Sequence, residues 1–243
     1  MAFNILKLRK SNERFISSRE WLESRHTFSF AEHRNQLWDN FGKIRVINED
    51  IISPNSGFNM HSHSNMEIIT IVIKGAITHR DSLNNLEIIH EDEVQVMSAG
   101  TGISHSEKNE KNIDCKLFQI WIYPDLQNLK PSYNQMSIKN ILGNNLIIDS
   151  KKNKYNRLFI NQDISVWRCK YKHLNKKNLP SEINNFNWMQ IIEGNLSVKD
   201  KNNQTNISLS SGDGLGFEIT DFSDIELKSE TGVDLILFSM PNL

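Results

Sequence analysis

Short runs rich in β-branched and aromatic residues recur along this chain, each closed within a few residues by Gly, Asn, Asp or Ser. In the first half they fall at residues 42–48, 66–73, 86–89, 93–97 and 116–123. Runs this short and this β-branched predict strands of a sandwich or barrel. Asp81-Ser-Leu-Asn-Asn85 reads as a turn between two of them. A polar, asparagine-rich stretch containing Pro124 and Pro131 and reaching to about residue 153 reads as a surface connection. A second series follows at 164–171, 188–192, 195–199, 205–209 and 233–238. Ile73-Lys-Gly75 and Ile192-Glu-Gly194 each precede a hairpin in their own half, which suggests a weak duplication of one β-domain. The expected organisation is all-β, with one domain over residues 1–130 and a second over 131–243. Helical signals are confined to Ser18-Arg-Glu-Trp-Leu-Glu-Ser24, with a turn near Tyr133-Asn-Gln-Met-Ser137.

Bulk properties narrow the function. A length of 243 residues suffices for two domains with substantial cores. A net charge of -1 provides no long-range field for nucleic acid or an anionic membrane, so direct nucleic-acid binding is not expected. Cys115 and Cys169 are far apart and outside any C-x-x-C spacing, and they read as buried free thiols. Lys7, Arg9 and Lys10 interrupt the start of the chain where a secretory signal needs a continuous apolar run. No run approaches the roughly 18 apolar residues of a membrane span, and a soluble cytoplasmic protein is expected.

The chemistry concentrates in two pairs, His61-Ser-His63 and His105-Ser-Glu107. In a strand, positions i and i+2 point to one face, so each pair can present two ligand atoms together. Three imidazoles and a carboxylate suit divalent iron, nickel, manganese, copper or zinc. The forty or so residues between the pairs hold enough strand to return the second pair beside the first in a closed barrel. Glu67, four residues after His63, is a competing carboxylate, and strand parity alone does not separate it from Glu107. The other histidines have plainer readings. His79, next to Arg80 and Asp81, reads as bracing a turn, His26 as packed near the barrel mouth, and His33 and His90 as solvated. His173 is the only histidine after residue 105, so the second half has no comparable cluster. Gly212-Asp-Gly-Leu-Gly216 lacks the following helix of a dinucleotide fingerprint and reads as a turn into a strand. Ser104 and Ser106 lack the context of a nucleophile elbow.

Many short motifs then occur in one order: Trp21, Ser24-Arg-His-Thr-Phe-Ser-Phe-Ala31, Phe41-Gly42, Arg45-Val46, Gly57-Phe58, His61-Ser-His63, Met66-Glu67, His79-Arg-Asp-Ser82, Gln95, Met97-Ser-Ala-Gly-Thr-Gly-Ile103, His105-Ser-Glu107 and Gln119-Ile-Trp121. Together they resemble the pirin family, densely from about residue 20 to 135 and more thinly beyond. The resemblance implies a bicupin, two β-barrel domains of jelly-roll type, with a single metal in the N-terminal barrel and a degenerate C-terminal one. Carried over residue by residue, the family's ligands fall on His61, His63, His105 and Glu107, which favours Glu107 over Glu67 as the carboxylate. The implied ion is Fe(2+), with Ni, Mn, Cu, Co or Zn as substitutes. Bacterial members are associated with opening the quercetin ring by O2 with release of carbon monoxide, in which Glu107 would be the proton acceptor. Nuclear eukaryotic members are associated with transcriptional regulation, so a redox-dependent regulator that binds a protein partner is the alternative. A metal-free β-sandwich that binds a sugar or acid is the plainest competitor. A monomer is expected. Two departures stand out: His-Ser-His replaces the common His-Pro-His, and Asn59-Met60 replaces small residues, which puts substrate choice in question.

Overall fold

The structure, a computed structural model, describes residues 3–138, 141–150, 157–176, 179–201, 204–221, 223 and 225–242. Its packing separates two compact units, one of Phe15–Ile138 with Ser150–Gln162 and one of Met1–Arg14 with Lys139–Asp149 and Asp163–Leu243. No described helix is long and apolar enough to cross a membrane.

The first strand, β1 (Phe3–Arg9), belongs to the unit that holds the C-terminal series. The other unit contains β2 (Phe15–Arg19), β3 (Leu22–His26), β4 (Ile44–Ile52), β5 (Ser56–His63), β6 (Glu67–Lys74), β7 (Ala76–Asp81), β8 (Leu86–His90), β9 (Glu93–Ser98), β10 (Ile103–Asn109), β11 (Cys115–Ile122) and β12 (Ser132–Ser137). They form a seven-stranded sheet in the order β12-β9-β6-β11-β4-β3-β2 and a four-stranded sheet in the order β5-β10-β7-β8. The central strand β6 is buried on both faces from Glu67 to Val72, which explains its continuous Ile-Ile-Thr-Ile-Val run. Ile44, Ile47, Ile69, Ile71, Phe118 and Ile120 are sealed from solvent around it.

Between β6 and β7 the chain leaves one sheet for the other at Gly75. Its φ is +78°, and a Cβ there would lie 2.8 Å from the carbonyl oxygen of Asp114, so only glycine fits without strain. The predicted hairpin follows as β7 and β8. In it the Asp81 carboxylate accepts from the amides of Leu83 and Asn85, which fixes the predicted turn.

The remaining strands are β13 (Gly143–Asp149), β14 (Leu158–Phe159), β15 (Ser165–Tyr171), β16 (Leu174–Lys176), β17 (Phe186–Asp200), β18 (Thr205–Ser210), β19 (Gly214–Ile219), β20 (Ile225–Ser229) and β21 (Val233–Met240). In the second unit β17 pairs with β19 and β21 through its first part and with β18 and β20 through its last. Gly194, with φ +86°, marks the change of partners, and a Cβ there would collide with the carbonyl oxygen of Gly232. Gly194 is thus the counterpart of Gly75, and the hairpin predicted after it is β17 with β18. Arg168 and Asp234 form a buried two-point ion pair within this unit, each contact 2.8 Å.

Four local expectations are corrected. Ser18–Ser24 is not helical: it spans the hairpin of β2 and β3, because Leu22, Ser24 and His26 alternate inward against β4 with a period of two. The segment at Tyr133 is strand β12, paired along the edge of β9. The runs at 188–192 and 195–199 are one strand, since Gly194 lets the backbone bend without breaking the ladder. The connection over 124–153 carries β12 and β13, while its residues 151–153 lie outside the described residues. Among the described residues the only helices are single 3₁₀ turns at Ser11–Glu13 and Gln36–Trp38. Cys115 and Cys169 are buried free thiols as expected.

One buried carboxyl in the first unit has a consequence for stability. Asp50 on β4 is 2 % exposed and receives the Ser24 hydroxyl. Burial pushes its carboxyl up to about 7, outweighing the Ser24 hydrogen bond. The folded chain therefore holds this proton more tightly than the unfolded chain, whose carboxyl titrates near 3.8. The resulting stability is complete below the lower value and is lost as pH rises through the higher one. In urea unfolding of metal-free protein, wild type should lose stability relative to Asp50→Asn between about pH 4 and about pH 7. Parallel pH profiles for the two proteins would contradict this assignment.

Candidate metal centre

The site is built by three neighbouring strands, β5, β10 and β7. In the antiparallel ladder His105 lies opposite His61 on one side and opposite Asp81 on the other, and Glu107 lies opposite His79. Directly opposed residues share a face, so these side chains rise together from the sheet. Between His105 and Glu107 the register with β5 slips by one, and Glu107 faces Phe58. A bulge of this kind re-aims the side chains beside it.

The three imidazoles of the sequence pairs meet. Ring centroids are 4.4 Å apart for His61 and His105, 4.8 Å for His61 and His63, and 4.9 Å for His63 and His105. One ligand atom from each lies within 4.8 Å of the others, and the same holds for the set His79, His105 and Glu107. His63 Nε2 and His105 Nε2 approach to 3.0 Å. His61 Nδ1 donates to the Asn59 carbonyl at 2.7 Å, which leaves its Nε2 lone pair free. Burial lowers His63 to about 4 and His105 to about 3, with the neighbouring imidazoles adding to the effect. Both rings are therefore neutral at physiological pH, the form that binds metal.

Glu107 is 1 % exposed and held from the facing sheet, with Gln119 Nε2 donating to one oxygen at 2.6 Å and Thr70 Oγ1 to the other at 3.3 Å. Gln119 in turn accepts from Trp121 Nε1 at 3.3 Å, and the Trp121 ring stands edge-on to His63 at 4.9 Å. Around Trp121 and Met66 pack Ile68, Met97, Ala99 and Ile103, an apolar wall beside the polar cluster. Neutral imidazoles with a tethered carboxylate against such a wall fit a divalent first-row ion.

Glu67 lies elsewhere. The chain crosses between β5 and β6, so the even offset from His63 no longer means a shared face. Glu67 accepts from the Ser98 hydroxyl at 2.7 Å and from Asn161 Nδ2 at 3.2 Å. His26 is buried as expected, bonded to Asn48 at 2.8 Å and Ser17 at 2.9 Å. His33 is less solvated than expected, since its ring stacks on Phe15 and its Nε2 meets Ser17 at 3.2 Å. His90 is exposed, and so is His173, which donates to the Glu230 carbonyl.

His79 is the residue that the sequence reading misplaced. Asp81 braces the turn, while the His79 ring is fully buried against His105 with centroids 5.3 Å apart. The signal was present: His79-Arg-Asp81 has the same two-residue spacing as the other pairs and so shares their geometry. Burial raises the Asp81 carboxyl, but hydrogen bonds from Asn85, His79 and Leu83 outweigh it and hold the group below its ordinary value.

The family model for pirin matches residues 8–122, and that for the quercetinase C-terminal cupin domain matches 147–240. A quercetin 2,3-dioxygenase of Escherichia coli is 34% identical over 98% of this chain and 99% of its own. The structure of the bacterial pirin YhhW from Escherichia coli in complex with nickel(II) superposes with a TM-score of 0.87 at 32% identity, over 98% of this chain and 99% of that one. A quercetin 2,3-dioxygenase from Acinetobacter baumannii, at 16% identity and a TM-score of 0.75 over 99% of this chain and 88% of that one, shares the fold. With its two cupin-type β-domains and a His/Glu metal-binding cluster in the first, the chain belongs to the pirin family.

Proposed function

We propose that this protein is a metal-dependent dioxygenase that opens the ring of a flavonol such as quercetin with O2 and releases carbon monoxide. The observation that carries the proposal is the meeting of His61, His63 and His105, with a ligand atom of His105 also within 4.8 Å of a Glu107 carboxylate already fixed by Gln119 and Thr70. The names of the full-length relatives supply the substrate class. His61, His63, His105 and Glu107 would hold one divalent ion, taken to be Fe(2+), with Ni, Mn, Cu, Co or Zn able to occupy the same donors. When bound, the ion supplies Lewis acidity that acidifies the flavonol 3-hydroxyl and orders the reactants.

The protein's own groups do the rest. Glu107 would accept the hydroxyl proton, with Gln119 and Thr70 holding its carboxylate within reach of the substrate. Trp121 and Met66, both half-buried, offer apolar surface to an aromatic ligand, and Ile103 beneath them helps exclude water from the reacting end. In this proposal the chemistry is confined to residues 1–130. Residues 131–243 carry no metal, and the protein works as a cytoplasmic monomer on a small aromatic substrate without nucleic acid.

Purified wild type should carry about one ion per chain by elemental analysis, and His61→Ala and His105→Ala should carry far less, each ligand loss weakening binding steeply. Metal-loaded wild type should release carbon monoxide from quercetin. Equal metal in all three proteins would refute the site, and no release with any of the six ions would refute the reaction. Glu107→Gln, which keeps size and an accepting oxygen, should retain most of the metal while kcat falls by about 10²-fold or more. An unchanged kcat would remove Glu107 as the proton acceptor.

A further inference from the structure

His105 is approached on both ring nitrogens. Its Nε2 faces His63 Nε2 at 3.0 Å, and its Nδ1 faces His79 Nδ1 at 3.5 Å. His79 uses its other nitrogen, Nε2, on the Asp81 carboxylate at 3.0 Å. Protons can satisfy this chain in one direction only, given the proposed role of His105. With Nε2 of His105 committed to an ion, the ring proton sits on Nδ1 and must find an acceptor. His79 Nδ1 can accept it only as the tautomer protonated on Nε2, and that proton points at Asp81. Each of the four nitrogens then has one role and no donor opposes another.

The surroundings hold this arrangement rigid. His79 and His105 are both fully buried, so water does not compete for either nitrogen. Tyr133 on β12 packs against the outer side of the His79 ring with centroids 4.7 Å apart. Asp81 accepts in addition from Asn85 Nδ2 at 2.8 Å and from the Leu83 and Asn85 amides, so its position is set by the hairpin turn itself. We infer that His79 and Asp81 are positioning residues that orient the His105 imidazole and strengthen it as a ligand, tying the metal centre to the β7–β8 turn. The inference rests on the metal site proposed above and extends it by two residues outside the ligand set. A histidine ligand whose second nitrogen donates to a carboxylate is held in one tautomer and made more basic. Here a second histidine is interposed, carrying that influence from a turn at the edge of the sheet to the ligand.

Cobalt(II) is the probe, because ring N–H protons of coordinated histidines shift far out of the normal proton NMR range in its complexes. Cobalt-loaded wild type should show a shifted N–H proton that exchanges slowly with solvent, that of His105. His79→Phe keeps an aromatic ring, slightly larger, and removes the acceptor. It should abolish the slow exchange and lower cobalt affinity by about 10–100-fold in chelator competition. His79→Asn, which returns an accepting oxygen near the position of Nδ1, should recover part of both. Asp81→Asn, whose amide oxygen can still brace the turn, should show an intermediate loss. Slow exchange and affinity within twofold of wild type in both His79→Phe and Asp81→Asn would overturn the inference. Failure of wild type itself to bind cobalt would overturn the metal site beneath it, which keeps the two outcomes distinguishable.

Discussion

The backbone ladder that holds Ile103–Asn109 between Ser56–His63 and Ala76–Asp81 decides what the site can be. Every side chain of the cluster reaches its place because an antiparallel register puts opposed residues on one face. A slip of one residue on either side would turn His105 away from His61 and from His79. The register is secured where it matters: the Asp81 turn closes one hairpin, and Gly57 passes so close to the backbone of Glu107 and Lys108 that no larger residue fits there. The bulge between His105 and Glu107 is the one irregularity in that ladder, and it falls within the cluster itself.

The seven-stranded sheet contributes through its polar residues. His26, Asn48, Gln119, Thr70 and Gln95 lie in one row, in register across β3, β4, β11, β6 and β9. All five are buried, which would be costly without partners, and Glu107 from the opposite sheet engages two of them. The two sheets thus meet through hydrogen bonds at one level and through aliphatic packing elsewhere. The carboxylate of the site is fixed by the facing sheet and its imidazoles by their own.

Much of this was legible in the sequence, and the reasons are physical. Period-two side-chain direction was enough to bring His61, His63, His105 and Glu107 forward, because the extra residue of the register slip lies on β5 between Phe58 and His61 and leaves the alternation within each pair intact. The same rule left Glu67 undecided, since parity is lost when the chain leaves one sheet for another between Ser64 and Met66. His79 was misplaced because its neighbour Asp81 does brace the turn, and the bracing role was given to the wrong member of the pair. The hairpin at Ser18–Ser24 was misread because Arg, Leu and Glu favour helix locally, while tertiary pairing with β4 overrides that preference. The row of polar residues across the sheet was invisible as a row, because its members come from five strands with no fixed sequence spacing.

In the proposed site one ion is held by three imidazoles and a carboxylate of the first unit. X-ray absorption of the metal-loaded protein tests it most directly, since imidazole rings produce distinctive outer-shell scattering. Zinc-loaded protein should show about three histidines per ion with nearest N and O ligands at about 2.0–2.2 Å, and His61→Ala should lose one histidine's scattering. A spectrum with oxygen ligands only, or one unchanged by His61→Ala, would contradict it.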